Sequence, residues 1–490
     1  MYDTYMHVND GRFHGRRALL ARLDRELAEV VSTGRGRMLA VRGRRQVGKS
    51  RLLTHFVETR DRPYLYTTVV KNAPAGAQLA GLARDAVAAT TPLPETSALF
   101  ASAPASWDEF FGRLRLALER SPAVVVVDEF PWAVQADPTL EGTLQNAWDR
   151  VLESLPVLLV IVGSDVAMME RLTEHDRPLF GRAGIVVVRP FDPRECAELL
   201  GSDRTAFDAF DAHLVTGGYP RLLGRLAASG TTEEFVRGQL TDETSDLAVL
   251  AQLTLDAEFP PGSQARRILS AIGSAEAGPV TFSRVTQTMD GDPGTVQTAV
   301  TRGLKVLTGV GAVAVDVPAG AAPNSRLRRY RVADSYLRFW FRFVEPQLAN
   351  TARGRDDLAV DAFGRGWPSW RGRAIEPVVR EAVLRLAPDL GPLRDVGLVG
   401  GWWNRDNSTE VDVVAAHGPL VRAVGSVKWR TATPFGADDA AGLRRVREVV
   451  PGADDAALVA VCPAGAAGDA EVDLVLRADD LLGAWAARAA

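Results

Sequence analysis
The residues best placed to do chemistry begin at Gly43-Arg44-Arg45-Gln46-Val47-Gly48-Lys49-Ser50, with Arg51 directly after. The spacing G-x-x-x-x-G-K-S is that of a P-loop, in which backbone N–H groups curl around a phosphate and a following helix adds its dipole. Lys49 is predicted to reach the β- and γ-phosphates of ATP, and the Ser50 hydroxyl to ligate Mg²⁺. About eighty residues on, Ala123-Val-Val-Val-Val127 ends in Asp128-Glu129. Two carboxylates at the tip of an apolar strand are costly unless they face a site. Asp128 is expected in the Mg²⁺ shell and Glu129 beside the attacking water. Ser164, with Asp165 second, is the candidate γ-phosphate sensor at the end of Val157–Val162. Arg182 is a candidate source of transition-state charge, and a surface salt bridge suits it equally.

These groups need elements to hold them. Apolar positions at Leu19, Leu20, Leu23, Leu27 and Val31 give a helix over 17–31 one buried stripe. Strands are predicted at 38–42, 64–70, 123–127, 157–162 and 184–189, alternating with helices such as 77–89 and 107–120. Runs such as Val124–Val127, apolar without alternation, suit central parallel strands buried on both faces. The pattern predicts a parallel α/β sheet with ligands at its strand C-termini. The Pro/Thr/Ser/Ala-rich stretch 90–106 reads as a surface insertion. Helices take over from Pro193, interrupted at Thr216-Gly-Gly-Tyr-Pro-Arg221, where Arg221 is a candidate nucleotide contact.

From 263 to 332, helices at 265–272, 282–289 and 293–307 and strands at 312–317 and 327–332 suggest a winged helix. Arg302 and Lys305 on its third helix and Arg326, Arg328 and Arg329 on its hairpin would suit DNA phosphates; a docking module is the alternative. Tyr336, Phe339, Trp340 and Phe343 share one helical face behind an Asp334 cap, which reads as packing. Most of the tryptophans follow, a shift that suggests a separate C-terminal domain. There, Glu376 on a helix, Asp412 on one strand and Lys428 on the next match the layout of PD-(D/E)xK nucleases, whose carboxylates hold a divalent cation. The place of the second carboxylate holds Ser426, a weak Mg²⁺ ligand. Glu410 lies on the same strand face as Asp412. The expected site is therefore a degenerate one.

The 490 residues carry a net charge of −4, so nucleic-acid contact would need a local patch. Two cysteines and six scattered histidines give no disulfide framework and no histidine metal site. No run of about 18 apolar residues supports a membrane span. The opening MYDTYMHVNDGRFHGRR is charged and lacks the apolar core of a secretory signal. A cytoplasmic protein without a membrane partner is expected.

The chain resembles the prokaryotic ATPases that pair an AAA-related, STAND-like P-loop module with a winged helix and a nuclease-like domain of unknown function. The resemblance rests on Phe13-His-Gly-Arg16, the P-loop, Asp128-Glu-Phe130, Gly163-Ser164, Gly181-Arg182 and Gly217–Arg221. It extends to Asp334–Trp340, Trp402-Trp403 and Lys428-Trp429. It implies that Phe13 and Arg16 lie near adenine. The expected fold class is α/β, with an AAA-like parallel sheet in a P-loop NTPase domain (1–192). A helical lid (193–260), a winged helix (261–333) and a restriction-endonuclease-like α/β domain (334–490) would follow. The leading function is an ATP-hydrolysing switch coupled to DNA or to a protein partner, self-association included. An Mg²⁺-dependent nuclease under ATPase control and a non-catalytic STAND-like scaffold are the alternatives.

Overall fold
The computed structural model describes residues 13–275 and 278–486; the opening twelve residues, and with them most of the segment read against a secretory signal, lie outside it. The chain divides into two compact units, Phe13–Pro190 and the remainder from Phe191.

In the first unit, β1 (Arg37–Arg42), β2 (Tyr64–Thr68), β3 (Ala123–Asp128), β4 (Val157–Gly163) and β5 (Ala183–Val187) form one parallel sheet in the order β2-β3-β4-β1-β5. Every residue of β3 and β4 is buried, as their unbroken apolar runs require. β5, at the edge, leaves Ile185 and Val187 exposed. β4 lies between the P-loop strand β1 and the acidic strand β3, so the tips of all three open side by side. The stretch 90–106 lies mostly at the surface, as its composition suggests, but it is anchored from within. A short helix, Thr96–Leu99, lies within it, and Leu93 and Phe100 are sealed in the core beside Phe110. Arg113 fastens it by donating to the carbonyls of Leu99 and Ser102. Two apolar anchors among Pro, Thr, Ser and Ala are too few to register as a periodic pattern.

The second unit opens with helices from Pro193, of which those beginning at Pro193, Ala206 and Thr232 carry reciprocal capping boxes. Helices Gln264–Gly273, Phe282–Gln287 and Pro293–Gly309 follow, with a small antiparallel sheet of β6 (Val280–Thr281), β7 (Val313–Asp316) and β8 (Arg329–Val332) in the order β6-β8-β7. Five further strands are β9 (Leu398–Trp403), β10 (Glu410–His417), β11 (Leu420–Val427), β12 (Ala457–Val461) and β13 (Leu474–Leu476). They form a mixed sheet, antiparallel from β9 to β11 and parallel from β11 to β13.

The sequence suggested three domains here, and side chains tie the pieces into one unit. The aromatic stripe reaches back to the helix Asp246–Glu258: the Tyr336 hydroxyl donates to Leu247 O (2.8 Å) and accepts from Ala251 N (2.9 Å), and Trp340 Nε1 donates to Ala248 O. Trp429 packs on Phe207 and Phe210 of the helix Ala206–Thr216. The loop between β7 and β8 lies on β9, where Ala319 N donates to Gly401 O (2.8 Å) and Trp403 Nε1 to Leu327 O (2.9 Å).

Candidate nucleotide site and C-terminal carboxylate cluster
The P-loop leaves β1 with almost no freedom. A Cβ on Gly43 would lie 2.1 Å from Val188 O, so only glycine fits there. Gln46 and Gly48 take positive φ, turning the loop into the helix Lys49–Glu58. Lys49 is buried, and its Nζ donates to the carbonyls of Gly43 (2.8 Å) and Arg44 (3.0 Å). Burial pulls its ammonium down to about 8, against the opposing pull of Glu129 and Asp128. The loop therefore encloses a concentrated positive charge inside a curled backbone, as a polyphosphate site needs. Val47 is buried within the fold, while Arg45 and Arg51 stay exposed at its rim.

Asp128, 2% exposed at the end of β3, is the hub of the polar groups. Its Oδ2 accepts from the Ser50 hydroxyl (2.6 Å) and the Tyr66 hydroxyl (2.7 Å), and its Oδ1 from Glu129 N (2.9 Å). Glu129 follows at φ 57°, a left-handed backbone that a glutamate adopts at a cost of order 1–3 kcal/mol. That turn aims its carboxylate at Ser164, whose Oγ donates to Oε2 (3.1 Å). Lys49, Ser50, Asp128, Glu129 and Ser164 thus come together across the tips of three strands. Ser50 and Asp128 are the pair that would hold Mg²⁺, whose chemistry is to neutralise charge on the phosphates. Their hydroxyl and carboxylate oxygens suit that hard cation.

Tyr66 was missed. Its signal was a phenol two residues before Thr68, the partner of Asp128 in the β2–β3 register. Nothing in the sequence says that β2 neighbours β3. Burial first, and then the Asp128 carboxylate, hold the phenol far above its usual pKa, so it stays a donor.

Arg16 meets the P-loop, and Phe13 meets the helix that follows it. Arg16 is buried and its Nη2 donates to Val47 O (2.7 Å), while Phe13 stacks on His55 of the helix Lys49–Glu58 at 4.0 Å. Arg182 is not drawn into the cluster. Asp149 takes its Nε and Nη2 (both 2.7 Å), and Nη1 donates to Pro178 O and Phe180 O, the salt-bridge alternative. Asp165 caps the helix Val166–Leu172 by accepting from Met168 N, while Ser164 is the residue that reaches Glu129. Arg221 lies in the second unit, where it pairs with Asp246 (2.6 Å).

The C-terminal carboxylates also gather, with arginines among them. Glu376 is buried, and burial pushes its carboxyl up to about 7 against the opposing Arg380. It accepts from Arg380 Nη2 (2.8 Å) and, more weakly, from Arg373 (3.4 Å). The register of β10 against β9 shifts between Val411 and Val414, which re-aims Asp412. Asp412 Oδ2 accepts from Ser426 Oγ (3.1 Å) and Val427 N (2.7 Å). Lys428 turns instead to Asp439 (3.7 Å). Glu410 pairs with Arg329 (2.8 Å), which also lies over Trp403 at 4.2 Å. That contact withdraws Arg329 from the basic hairpin expected of it. Among the described residues, no group of three or more His, Cys, Asp or Glu is disposed to hold a metal ion.

Residues 23–226 match the family described as an ATPase domain predominantly from Archaea. The chain carries an archaeal-type ATPase domain. Residues 340–440 match DUF234, archaeal and bacterial proteins of unknown function. An uncharacterised protein of Methanocaldococcus jannaschii, MJECL04, is 22% identical over 82% of this chain and 85% of its own length. Two solved structures are similar to the chain. The Walker-type ATPase PABY2304 of Pyrococcus abyssi is 18% identical, with a TM-score of 0.49 over 68% of this chain and 97% of its own. The Aeropyrum pernix ORC2 protein, solved as ADPNP–ADP complexes, is 15% identical, with a TM-score of 0.45 over 73% and 98%. The archaeal-type ATPase domain spans the strands and the helix that carry Lys49, Ser50, Asp128, Glu129 and Ser164. No helix among the described residues is long and apolar enough to cross a membrane.

Proposed function
We propose that this protein is an ATP-driven switch: Lys49 and the loop 43–50 bind the phosphates, Ser50 and Asp128 hold Mg²⁺, and Glu129 takes a proton from the attacking water. The observation that carries this reading is the contact chain from Ser50 through Asp128 and Glu129 to Ser164, beside a buried Lys49. Ser164 orients the Glu129 carboxylate and is positioned to sense whether the γ-phosphate is present. Phe13 and Arg16 close the adenine side, and the exposed Arg45 and Arg51 contribute charge at the rim. Lys49→Ala loses nucleotide binding, whereas Glu129→Gln binds ATP and does not turn it over. A Lys49→Ala protein hydrolysing ATP like the parent would refute the assignment.

The output of the switch is assigned to the second unit, read as lid (193–260), winged helix (261–333) and nuclease-like domain (334–490). The loop between β7 and β8 is used against β9, and Arg329 is held by Glu410, which favours a module docked within the chain and presenting a face to a protein partner. Exposed Arg302, Lys305, Arg326 and Arg328 support a second reading, DNA binding through the same module. Salt decides between them, because contact with phosphates weakens steeply as salt rises. The nuclease-like domain is assigned no cleavage activity, since Arg373 and Arg380 lie against Glu376, Arg329 against Glu410, and Ser426 stands in a carboxylate position. DNA cleavage with Mg²⁺ or Mn²⁺ that Asp412→Ala abolishes would overturn that. A STAND-like scaffold differs by an ATP-dependent rise in mass, read by light scattering.

A further inference from the structure
One small cavity in the second unit is lined by four arginines and a single carboxylate. Arg331 comes from β8, Arg338 from the helix Ser335–Phe339, and Arg373 and Arg380 from the helices Asp356–Ala374 and Glu376–Leu386; Glu376 is the carboxylate. The cavity measures about 30 Å³, room for a water or two or one small anion.

The four cations are not equally satisfied. Arg331 pairs through Nε with Asp316 (3.0 Å), which leaves its two terminal nitrogens for other acceptors. Arg380 is taken up by Glu376 and by Asp412 O, and Arg373 reaches Glu376 and Glu410 only at 3.4–3.5 Å. Arg338 differs. Its Nη2 donates to two neutral oxygens, Ser335 Oγ (3.3 Å) and Ala374 O (3.1 Å), and its fully enclosed Nε has no hydrogen-bond partner. Among the described residues no carboxylate lies within ion-pair distance of it. Burial, and then the neighbouring Arg331, bring its guanidinium down to about 9, against the opposing pull of Asp316, Asp334 and Glu376.

We propose that this cavity binds a small tetrahedral oxyanion of the phosphate type, held by Arg331, Arg338 and Arg373. Guanidinium forks match phosphate oxygens in geometry as well as charge. The ligand is a free phosphate or the terminal phosphate of a larger molecule that reaches in. The site joins β8, the aromatic helix and the C-terminal helices, so occupancy stiffens the module from which a partner would be engaged.

The test is titration calorimetry on the full chain carrying Lys49→Ala, which removes phosphate binding at the P-loop. Inorganic phosphate is titrated at constant ionic strength against chloride. A 5′-phosphorylated dinucleotide and its unphosphorylated counterpart are titrated alongside. Saturable phosphate binding is expected, weakened at least tenfold by Arg338→Gln and, separately, by Arg373→Gln. Tighter binding of the phosphorylated dinucleotide than of inorganic phosphate assigns the ligand as a terminal phosphate; the reverse assigns free phosphate. Should Arg338→Gln fail to fold, Arg373→Gln decides, because its side chain is half-exposed and leaves no buried hole. Absence of saturable binding in the Lys49→Ala chain, or binding unchanged by the arginine substitutions, overturns the proposal.

Discussion

Tyr66→Phe removes one oxygen from a buried constellation and leaves the packing of the ring in place. Ser50 and Tyr66 both donate to the same oxygen of Asp128, at 2.6 and 2.7 Å. A Ser50 hydroxyl that turns to Mg²⁺ leaves that oxygen, and Tyr66 then remains as its side-chain anchor. A hydrogen bond to a charged group contributes about 1.5–3 kcal/mol. Because Glu129 N still holds the other oxygen (2.9 Å), the lower end applies, about 1.5 kcal/mol or roughly tenfold in an equilibrium constant. The deficit falls on the carboxylate expected to hold the cation. The half-saturating Mg²⁺ concentration for ATP turnover is therefore expected to rise about tenfold, with metal-free nucleotide binding unchanged. The assay is steady-state phosphate release at fixed ATP across a Mg²⁺ series, with the melting temperature as a folding control. A folded variant whose half-saturating Mg²⁺ lies within about twofold of the parent would refute the reasoning, since that is well below the expected tenfold.

The depressed Lys49 pKa makes two predictions. Its charge is lost as pH rises through about 8, so nucleotide affinity measured with a fluorescent analogue should fall about tenfold per pH unit above that point; a flat profile to pH 9 contradicts it. The folded value also lies below the unfolded 10.5, so the buried charge opposes folding below pH 8 and ceases to as pH climbs towards 10.5. Lys49→Met should accordingly raise the melting temperature of the nucleotide-free protein at pH 7 while abolishing stabilisation by ATP. Gly43→Ala drives a methyl to 2.1 Å from Val188 O; overpacking costs about 1–3 kcal/mol, so the melting temperature drops and nucleotide binding is lost together. Arg329→Ala strips Glu410 and Asn407 of a partner and Trp403 of its cation, which should cost about 2–3 kcal/mol in denaturant unfolding. Arg302→Ala, on an exposed side chain, should cost less than about 0.5 kcal/mol and instead lower any salt-sensitive DNA affinity.

The local grammar of the nucleotide site was legible because it lies in short contiguous stretches. Gly43–Ser50 specifies a loop, Ala123–Asp128 a buried strand with an acidic tip, and Gly163-Ser164 a polar end to another. Each carries its backbone requirement and its chemistry in the same few residues. The resemblance added Phe13 and Arg16, whose contacts with His55 and the P-loop carbonyl of Val47 no spacing could reveal.

What the tertiary structure decided is which charge meets which. Sequence offered Arg182 as a source of transition-state charge or a surface ion pair, and the fold pairs it with Asp149, thirty-three residues away. Tyr66 became visible only when β2 was placed beside β3, because strand order depends on the packing of the whole sheet. The basic hairpin lost Arg329 to Glu410 across eighty-one residues. The stretch 90–106 is anchored to the core through Leu93 and Phe100, two side chains too few to announce it in the sequence. In each case the deciding energy is a contact between distant segments of one unit, desolvated as that unit folds, and its partner cannot be read from neighbouring residues. The composition of the P-loop was enough to identify a phosphate cradle; the fold alone brought Ser50, Tyr66, Asp128, Glu129 and Ser164 within hydrogen-bonding reach of one another.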